Sequence, residues 1–223
     1  MRQILTIVFF LTVTALYLAC TGNPNVGNSR NLTATKDIFP VPIDSGILYF
    51  PAAKFVSDST NRLDSFTNTW YSKMLFGLHE PILFDVQDSA DVFRFTWLRT
   101  FHKPIAIRLT KTKGDAILTL KIADGASGYN AGKLLTDTSF YISDSEWGKF
   151  TIKISDIHFW EMQSVKNDNG KDGSEWILEG KSEGKYHFVS RWTPGGTRYK
   201  EFKDCCDYLI QLANLNLNDR ERY

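Results

Sequence analysis

The chain has 223 residues, with 26 Lys and Arg against 25 Asp and Glu, for a formal net charge of +1. That balance supplies no global attraction to nucleic acid or to anionic lipid, which excludes charge-driven polyanion binding as the organising function. A hydrophobic content of 43%, of which aromatics make up much (14% of the chain), is enough at this length to bury one substantial core, and a single domain is expected.

Residues 1–20 read MRQILTIVFFLTVTALYLAC. One basic residue, Arg2, precedes an apolar run from Ile4 to Ala19, shorter than the roughly 20 residues that span a bilayer comfortably. This is the pattern of an export signal, not of a folded element. The LAC ending resembles the lipobox of bacterial lipoproteins. The resemblance implies that residues 1–19 are removed and that the thiol of Cys20 is acylated, making Cys20 the lipidated N-terminus and the membrane a partner through the anchor. The residues that follow, TGNPN, carry no acidic cluster, which by the same resemblance points to the outer membrane and its periplasmic side. The alternative is an uncleaved signal anchor with Cys20 an ordinary cysteine. Loss of the leader removes Arg2 and leaves 25 basic and 25 acidic residues.

Residues 20–36 are rich in Asn, Gly, Ser and Thr and read as a flexible tether, so the domain is expected over 37–223. Pro40 and Pro42 force an extended start, and Ile47 to Phe50 is a candidate short strand. Leu63, Phe66, Trp70, Met74 and Leu78 recur at helical steps and predict a helix over 59–77, with Asp58 or Ser59 as N-cap and that stripe facing the core. His79 and Glu80 are expected to be exposed at its C-terminal end. Val92 to Leu98 alternates, with Phe93, Phe95 and Trp97 on one side and Arg94 and Thr96 on the other. Strands over 104–110 and 116–123 follow, joined by a turn at Lys111 to Gly114, and together the three read as an antiparallel meander. Arg99, His102 and Lys103 form a basic trio in the connection between the first two strands; a solvated turn is the plainer reading.

The loop GASGYNAG, residues 125–132, lacks the lysine and hydroxyl residue of a phosphate-binding loop. Residues 133–142 read as a further strand. Ser143 and Glu146 form a capping box for a helix over 144–157, which competes with a strand reading of its KFTIKI segment. The polar stretch 161–175 contains Asp168, Asn169, Asp172 and Glu175 without the spacing of a calcium loop, so no metal site is expected. The last helix is expected over 199–215, with Phe202, Cys205, Cys206, Leu209, Leu212 and Ala213 inward. Cys205 and Cys206 are adjacent, which is poor geometry for a disulfide in a helix, and they read as small buried residues.

Between these elements lies WILEGKSEGKYHFVSRW, residues 176–192, a β-hairpin. With the turn centred on Ser182 and Glu183, Leu178 pairs with His187. Trp176, Leu178, His187, Val189 and Arg191 then share one face, and Ile177, Glu179, Tyr186, Phe188 and Trp192 share the other. Trp176, His187, Arg191, Tyr186 and Trp192 are the candidate ligand or partner surface. His187 offers a proton donor and Arg191 an anion-binding fork; the plainer alternative is a half-buried histidine and an arginine stacked on Trp176 or paired with Glu175. The strings EWILEG, GKYHFVSRW and CDYLIQLA resemble the C-terminal part of uncharacterised bacterial proteins, a likeness that covers about the last fifty residues and implies no activity.

The expectation is therefore an α+β domain: an antiparallel sheet, made of a meander and a C-terminal hairpin, packed by three helices behind a signal peptide and tether. No HExxH, GxSxG or SxxK motif is present, and no catalytic residue or cofactor is assigned. If catalysis existed, His187 and Arg191 with Glu179 or Glu175 would carry it. The leading reading is a non-catalytic binding module for an envelope protein or polysaccharide. An inhibitor of one enzyme, or a hydrolase of envelope material, is the alternative.

Overall fold

The computed structural model describes residues 32–33, 39–52, 62–85, 89–166, 170 and 172–215. The expected leader, Cys20, the caps Asp58 and Ser59, and Asp168 and Asn169 lie outside the described residues. The chain folds as a single α+β domain in which one antiparallel sheet is covered by helices on both faces. In chain order the elements are β1 (Leu32–Thr33), α1 (Ser65–Gly77), β2 (Asp91–Arg99), β3 (Ile105–Lys111), β4 (Ala116–Ala123) and β5 (Leu134–Ile142). Next come α2 (Asp144–Asp156), a 3-10 turn (Phe159–Glu161), β6 (Ser174–Ser182), β7 (Lys185–Trp192) and α3 (Lys200–Leu212).

The strand order is β1-β5-β4-β3-β2-β6-β7. The meander is longer than three strands, because β5 adds to β4 in register from Ala116–Ile142 to Ile122–Thr136. After β5 the chain crosses over through α2 and returns on the other side of β2, where Phe95 pairs with Leu178. This makes β2 central and buries it almost along its whole length. Within the stretch expected as tether, Leu32 and Thr33 pair with Phe140 and Ser139. Residues 47–50 form no strand, yet Tyr49 and Phe50 are fully buried.

The first face of the sheet carries the main apolar cluster. Phe93, Phe95, Trp97, Ile107, Leu118, Leu178 and Val189 meet Phe150 and Ile154 of α2, Phe159 of the 3-10 turn, and Phe202, Cys205, Cys206 and Leu209 of α3. The capping box of α2 is formed: Ser143 Oγ accepts from Glu146 N at 3.2 Å and Glu146 Oε2 accepts from Ser143 N at 2.8 Å. Local capping thus decides for helix over the alternating KFTIKI pattern. Cys205 and Cys206 are free and buried, and burial pushes the Cys205 thiol up to about 12.

The second face is covered by α1 and by residues 39–52 and 78–85. Here α1 departs from the expected helix. It begins at Ser65, because Asp64 is the N-cap and its carboxylate accepts from Thr67 N at 2.9 Å and Thr67 Oγ1 at 2.6 Å. Its buried side is Asn68, Tyr71, Ser72, Met74 and Leu75, while Phe66 is 79% exposed. The inward polar residues are bonded: Asn68 donates to Phe50 O at 3.1 Å, and Ser72 Oγ accepts from Tyr49 N at 2.9 Å. These partners make burial of the two polar side chains tolerable and rotate the helix away from its most apolar stripe.

The hairpin turn also differs. Glu183 and Gly184 both have positive φ, 50° and 74°, as a two-residue hairpin turn of the favoured hand requires. Glycine fits the second of these positions, which moves the turn one residue along the chain. Leu178 accordingly pairs with Val189 and Trp176 with Arg191. Moving both partners together preserves the faces: Trp176, Leu178, His187, Val189 and Arg191 do lie together.

Candidate binding site

The five hairpin residues proposed as a surface occupy both faces of the sheet and do not form one patch. Trp176 is 2% exposed, its ring centroid 5.1 Å from Phe95 and 4.9 Å from Trp97, and its indole N–H donates to Ser174 Oγ at 2.9 Å. Arg191, also 2% exposed, donates from Nη2 to Gln163 O at 2.7 Å and from Nη1 to Ser164 O at 3.2 Å and Ser190 O at 2.7 Å. Its guanidinium lies against Tyr199 at 5.1 Å. The fork therefore ties residues 163–164 to β7, with both terminal nitrogens bonded to carbonyls.

His187 is half-buried, with Nε2 2.9 Å from Met162 O and its ring 5.1 Å from Phe159. A carbonyl only accepts, so the ring carries its proton on Nε2 in this bond. Burial lowers the His187 pKa below the ordinary imidazole value. On the opposite face, Tyr186 donates to Glu179 Oε1 at 2.9 Å. Trp192 packs over Gly170 and Gly173, where a Cβ would collide with its indole. Glu175 and Glu179 share that opposite face, so neither converges with His187 and Arg191.

Beneath α1 lies a cluster that sequence reasoning missed. Glu80, expected at an exposed helix end, is 0% exposed. The chain turns back under α1 at His79, whose φ is 52°, and lays Glu80 on the second face of the sheet. Arg94 holds Glu179 with two bonds, Nε to Oε2 at 2.7 Å and Nη2 to Oε1 at 2.8 Å, and reaches Glu80 at 3.3 Å and Pro81 O at 2.7 Å. Arg108 Nε donates to Glu80 Oε2 at 3.0 Å, and Lys121 Nζ lies 3.4 Å from Glu80 Oε1 and donates to His79 O at 2.6 Å. Tyr49 donates to Glu80 O at 2.9 Å.

Burial raises the Glu80 carboxyl, but Arg108, Arg94 and Lys121 outweigh it and hold the group below its ordinary value. Burial dominates at Glu179 and leaves its pKa raised, with Arg94 offsetting only part of the cost. Three cations and two carboxylates thus form a buried network that pins residues 79–81 to the sheet, with Glu80 Oε1 held by the Lys121 charge and not by a hydrogen bond. A sequence signal exists: the strands β2, β3, β4 and β6 each carry a charged residue inside an apolar run. Arg108, Arg94 and Glu179 fall in one cross-strand row.

The open surface is at the end of the sheet where β2 and β4 finish. Phe66, Thr69, Trp70, Lys73 and Met74 of α1 face Thr100, Gly128 and Tyr129 across a groove of about 450 Å³. Phe66 and Tyr129 are 79% and 74% exposed, and Phe101 stacks beside Tyr129 with ring centroids 6.4 Å apart. The walls are tied together. Trp70 Nε1 donates to Ser127 O at 2.7 Å, Gly128 N donates to Thr100 O at 3.0 Å, and a Cβ on Gly77 would fall 2.3 Å from that of Ala131. With its N–H committed, Trp70 presents ring surface to the groove. The spacing of α1 pointed to Phe66 and Trp70, but as core.

Among the described residues no three His, Cys, Asp or Glu side chains come together as a metal-ligand set, and no helix is long and apolar enough to cross a membrane. No protein-family model and no curated protein sequence matches the chain.

Proposed function

We propose that this chain is a lipid-tethered, non-catalytic binding module of a bacterial envelope, held at the outer membrane through Cys20 and facing the periplasm, with a polysaccharide as its ligand. One observation carries the binding assignment: the groove framed by Phe66, Trp70 and Tyr129, whose two most exposed large rings stand on walls fixed by backbone hydrogen bonds. Exposed aromatic rings that are already positioned give up little entropy on binding. The groove, at about 450 Å³, is of the size that holds small ligands. It is lined also by Thr69, Lys73 and Thr100, which suits sugar rings set against the aromatic faces with their hydroxyls bonded to these polar side chains.

The hairpin residues Trp176, His187, Arg191, Tyr186 and Trp192 act in this reading as framework. Supporting the tether are the export-type leader, the LAC ending and the polar stretch behind it.

The ligand assignment is tested by co-sedimentation with purified envelope polysaccharide. The wild-type chain pellets with it, and a Phe66→Ala, Tyr129→Ala double variant loses roughly tenfold or more in affinity, since each aromatic contact contributes about 0.5–1.5 kcal/mol beyond area burial. Its melting temperature stays near wild type because both rings are exposed. Unchanged binding in the double variant rules out the groove. The anchor is tested separately by fatty-acid labelling, which Cys20→Ala abolishes if the tether reading holds.

A further inference from the structure

The exposed aromatic surface does not end at Tyr129. Its ring stands beside that of Phe101, with centroids 6.4 Å apart and planes at 36°. Tyr129 lines the aromatic groove, while Phe101 lines a second cleft, of about 690 Å³, on the other side of the same loops. Ile122, Leu135, Asp124 and Thr136 also line that cleft. We propose that groove and cleft form one glycan-binding track: the chain held at Phe66 and Trp70 passes over the Tyr129–Phe101 pair and seats further sugar rings in the second cleft. This extension rests on the polysaccharide reading of the groove.

Three observations carry the inference. The first is continuity. Among the described residues eight large apolar side chains are exposed, and four of them, Phe66, Tyr129, Phe101 and Leu135, line these two hollows. Single exposed apolar residues need no explanation, but a run of them across one end of the sheet marks a binding surface.

The second is a shared brace. Ser127 is fully buried between the two hollows. On the cleft side its N–H and Oγ both donate to His102 O, at 3.0 and 3.1 Å; on the groove side its carbonyl accepts from Trp70 Nε1 at 2.7 Å. Next to it, a Cβ on Gly128 would fall 2.8 Å from Thr100 O, so only glycine lets the two loops lie this close. The spacing between groove and cleft is therefore set before a ligand arrives, which lowers the ordering cost of filling both.

The third is the chemistry of the cleft. A sugar ring presents C–H groups on its faces and hydroxyls at its edge, and the cleft offers a partner for each. Ile122 pairs with Thr136 but Ala123 pairs with Leu134, so Leu135 is the extra residue of a bulge in β5, and its side chain lines the cleft beside Ile122 and Phe101. For the hydroxyls there are Thr136 and the exposed Asp124, whose Oδ1 is held by Lys133 N at 2.6 Å and whose carboxylate has further lone pairs to accept with. Rings joined in one chain fill the second hollow at high effective concentration once the first is occupied.

Chain length is the discriminating variable. Fragments of two and of six sugar rings, prepared by partial hydrolysis of the purified envelope polysaccharide, are titrated by calorimetry into the full chain in phosphatidylcholine nanodiscs. The six-ring fragment is expected to bind roughly tenfold or more tightly, a difference of about 1.4 kcal/mol. Phe101→Ala should weaken the six-ring fragment about fivefold. Leu135→Ala should weaken it about threefold and leave the two-ring fragment at wild-type affinity. Phe66→Ala should weaken both fragments. Equal affinity for the two lengths, wild-type affinity of the six-ring fragment in either cleft variant, or a loss shared equally by both fragments in Leu135→Ala overturns the track and leaves the groove standing. Absence of binding by both fragments removes the groove reading, and the track with it.

Discussion

Glu80 shows how a single residue can set the role of its surroundings. Its carboxylate is buried against Arg94, Arg108 and Lys121, so removing it takes a counter-charge away from three buried cations. Glu80→Ala should destabilise the fold by about 3–5 kcal/mol, measured by urea unfolding, the cost typical of orphaning a buried charge. A loss below about 1 kcal/mol would mean the network is wetter than its geometry indicates. His187 belongs to the same scale. Burial depresses its folded pKa, so the unfolded chain takes up the proton first as pH falls below the ordinary imidazole value. The stability it supports is therefore full above about pH 6.5 and declines as pH drops through its lower folded pKa. His187→Gln can still donate to Met162 O, and its urea midpoint should fall less than that of wild type between pH 7.5 and 5.5. An equal fall in both would remove His187 from the acid response.

At the scale of elements, what could be read from the sequence was what local chemistry decides. The Ser143–Glu146 box, the alternation of Phe93, Phe95 and Trp97, and the inward stripe of α3 are all short-range patterns, and each is present in the fold. Two things resisted. The start and rotation of α1 depend on Asn68 and Ser72 finding partners near Tyr49 and Phe50, about twenty residues away, and spacing alone cannot reveal that. The same rotation exposed Phe66 and hid the aromatic groove from sequence reasoning, because an aromatic at a helical step reads as core. The hairpin turn was misplaced by one residue because Ser182–Glu183 and Glu183–Gly184 both fit the polar cluster, and only the second puts glycine where the left-handed backbone falls. The cap is directly testable: Asp64→Ala should cost about 1 kcal/mol in thermal or urea unfolding. No change would place the start of α1 elsewhere.

Across the whole molecule, the two faces of the sheet divide the work. The first face is a dry apolar core under α2 and α3; the second holds the ion network under α1 and the chain segments that pass over it. Trp176 and Arg191 of the hairpin are buried within the first of them, each 2% exposed, while Tyr186, His187 and Trp192 are half-buried. Side chains are left open where strands end, at the Thr100–Lys103 turn and the 125–132 loop, with the aromatic groove on one side and a second cleft, lined by Phe101, Ile122 and Leu135, on the other. Placing recognition on loops braced by a rigid sheet is a common solution.

The most direct test is photo-crosslinking in native membranes with p-benzoylphenylalanine in place of Tyr129. Adducts are expected that collapse to the size of the free chain when envelope polysaccharide is digested enzymatically, and that are lost when Phe66 is also replaced by alanine. A single discrete adduct that survives glycan digestion and disappears with protease would identify a protein partner and contradict the polysaccharide assignment.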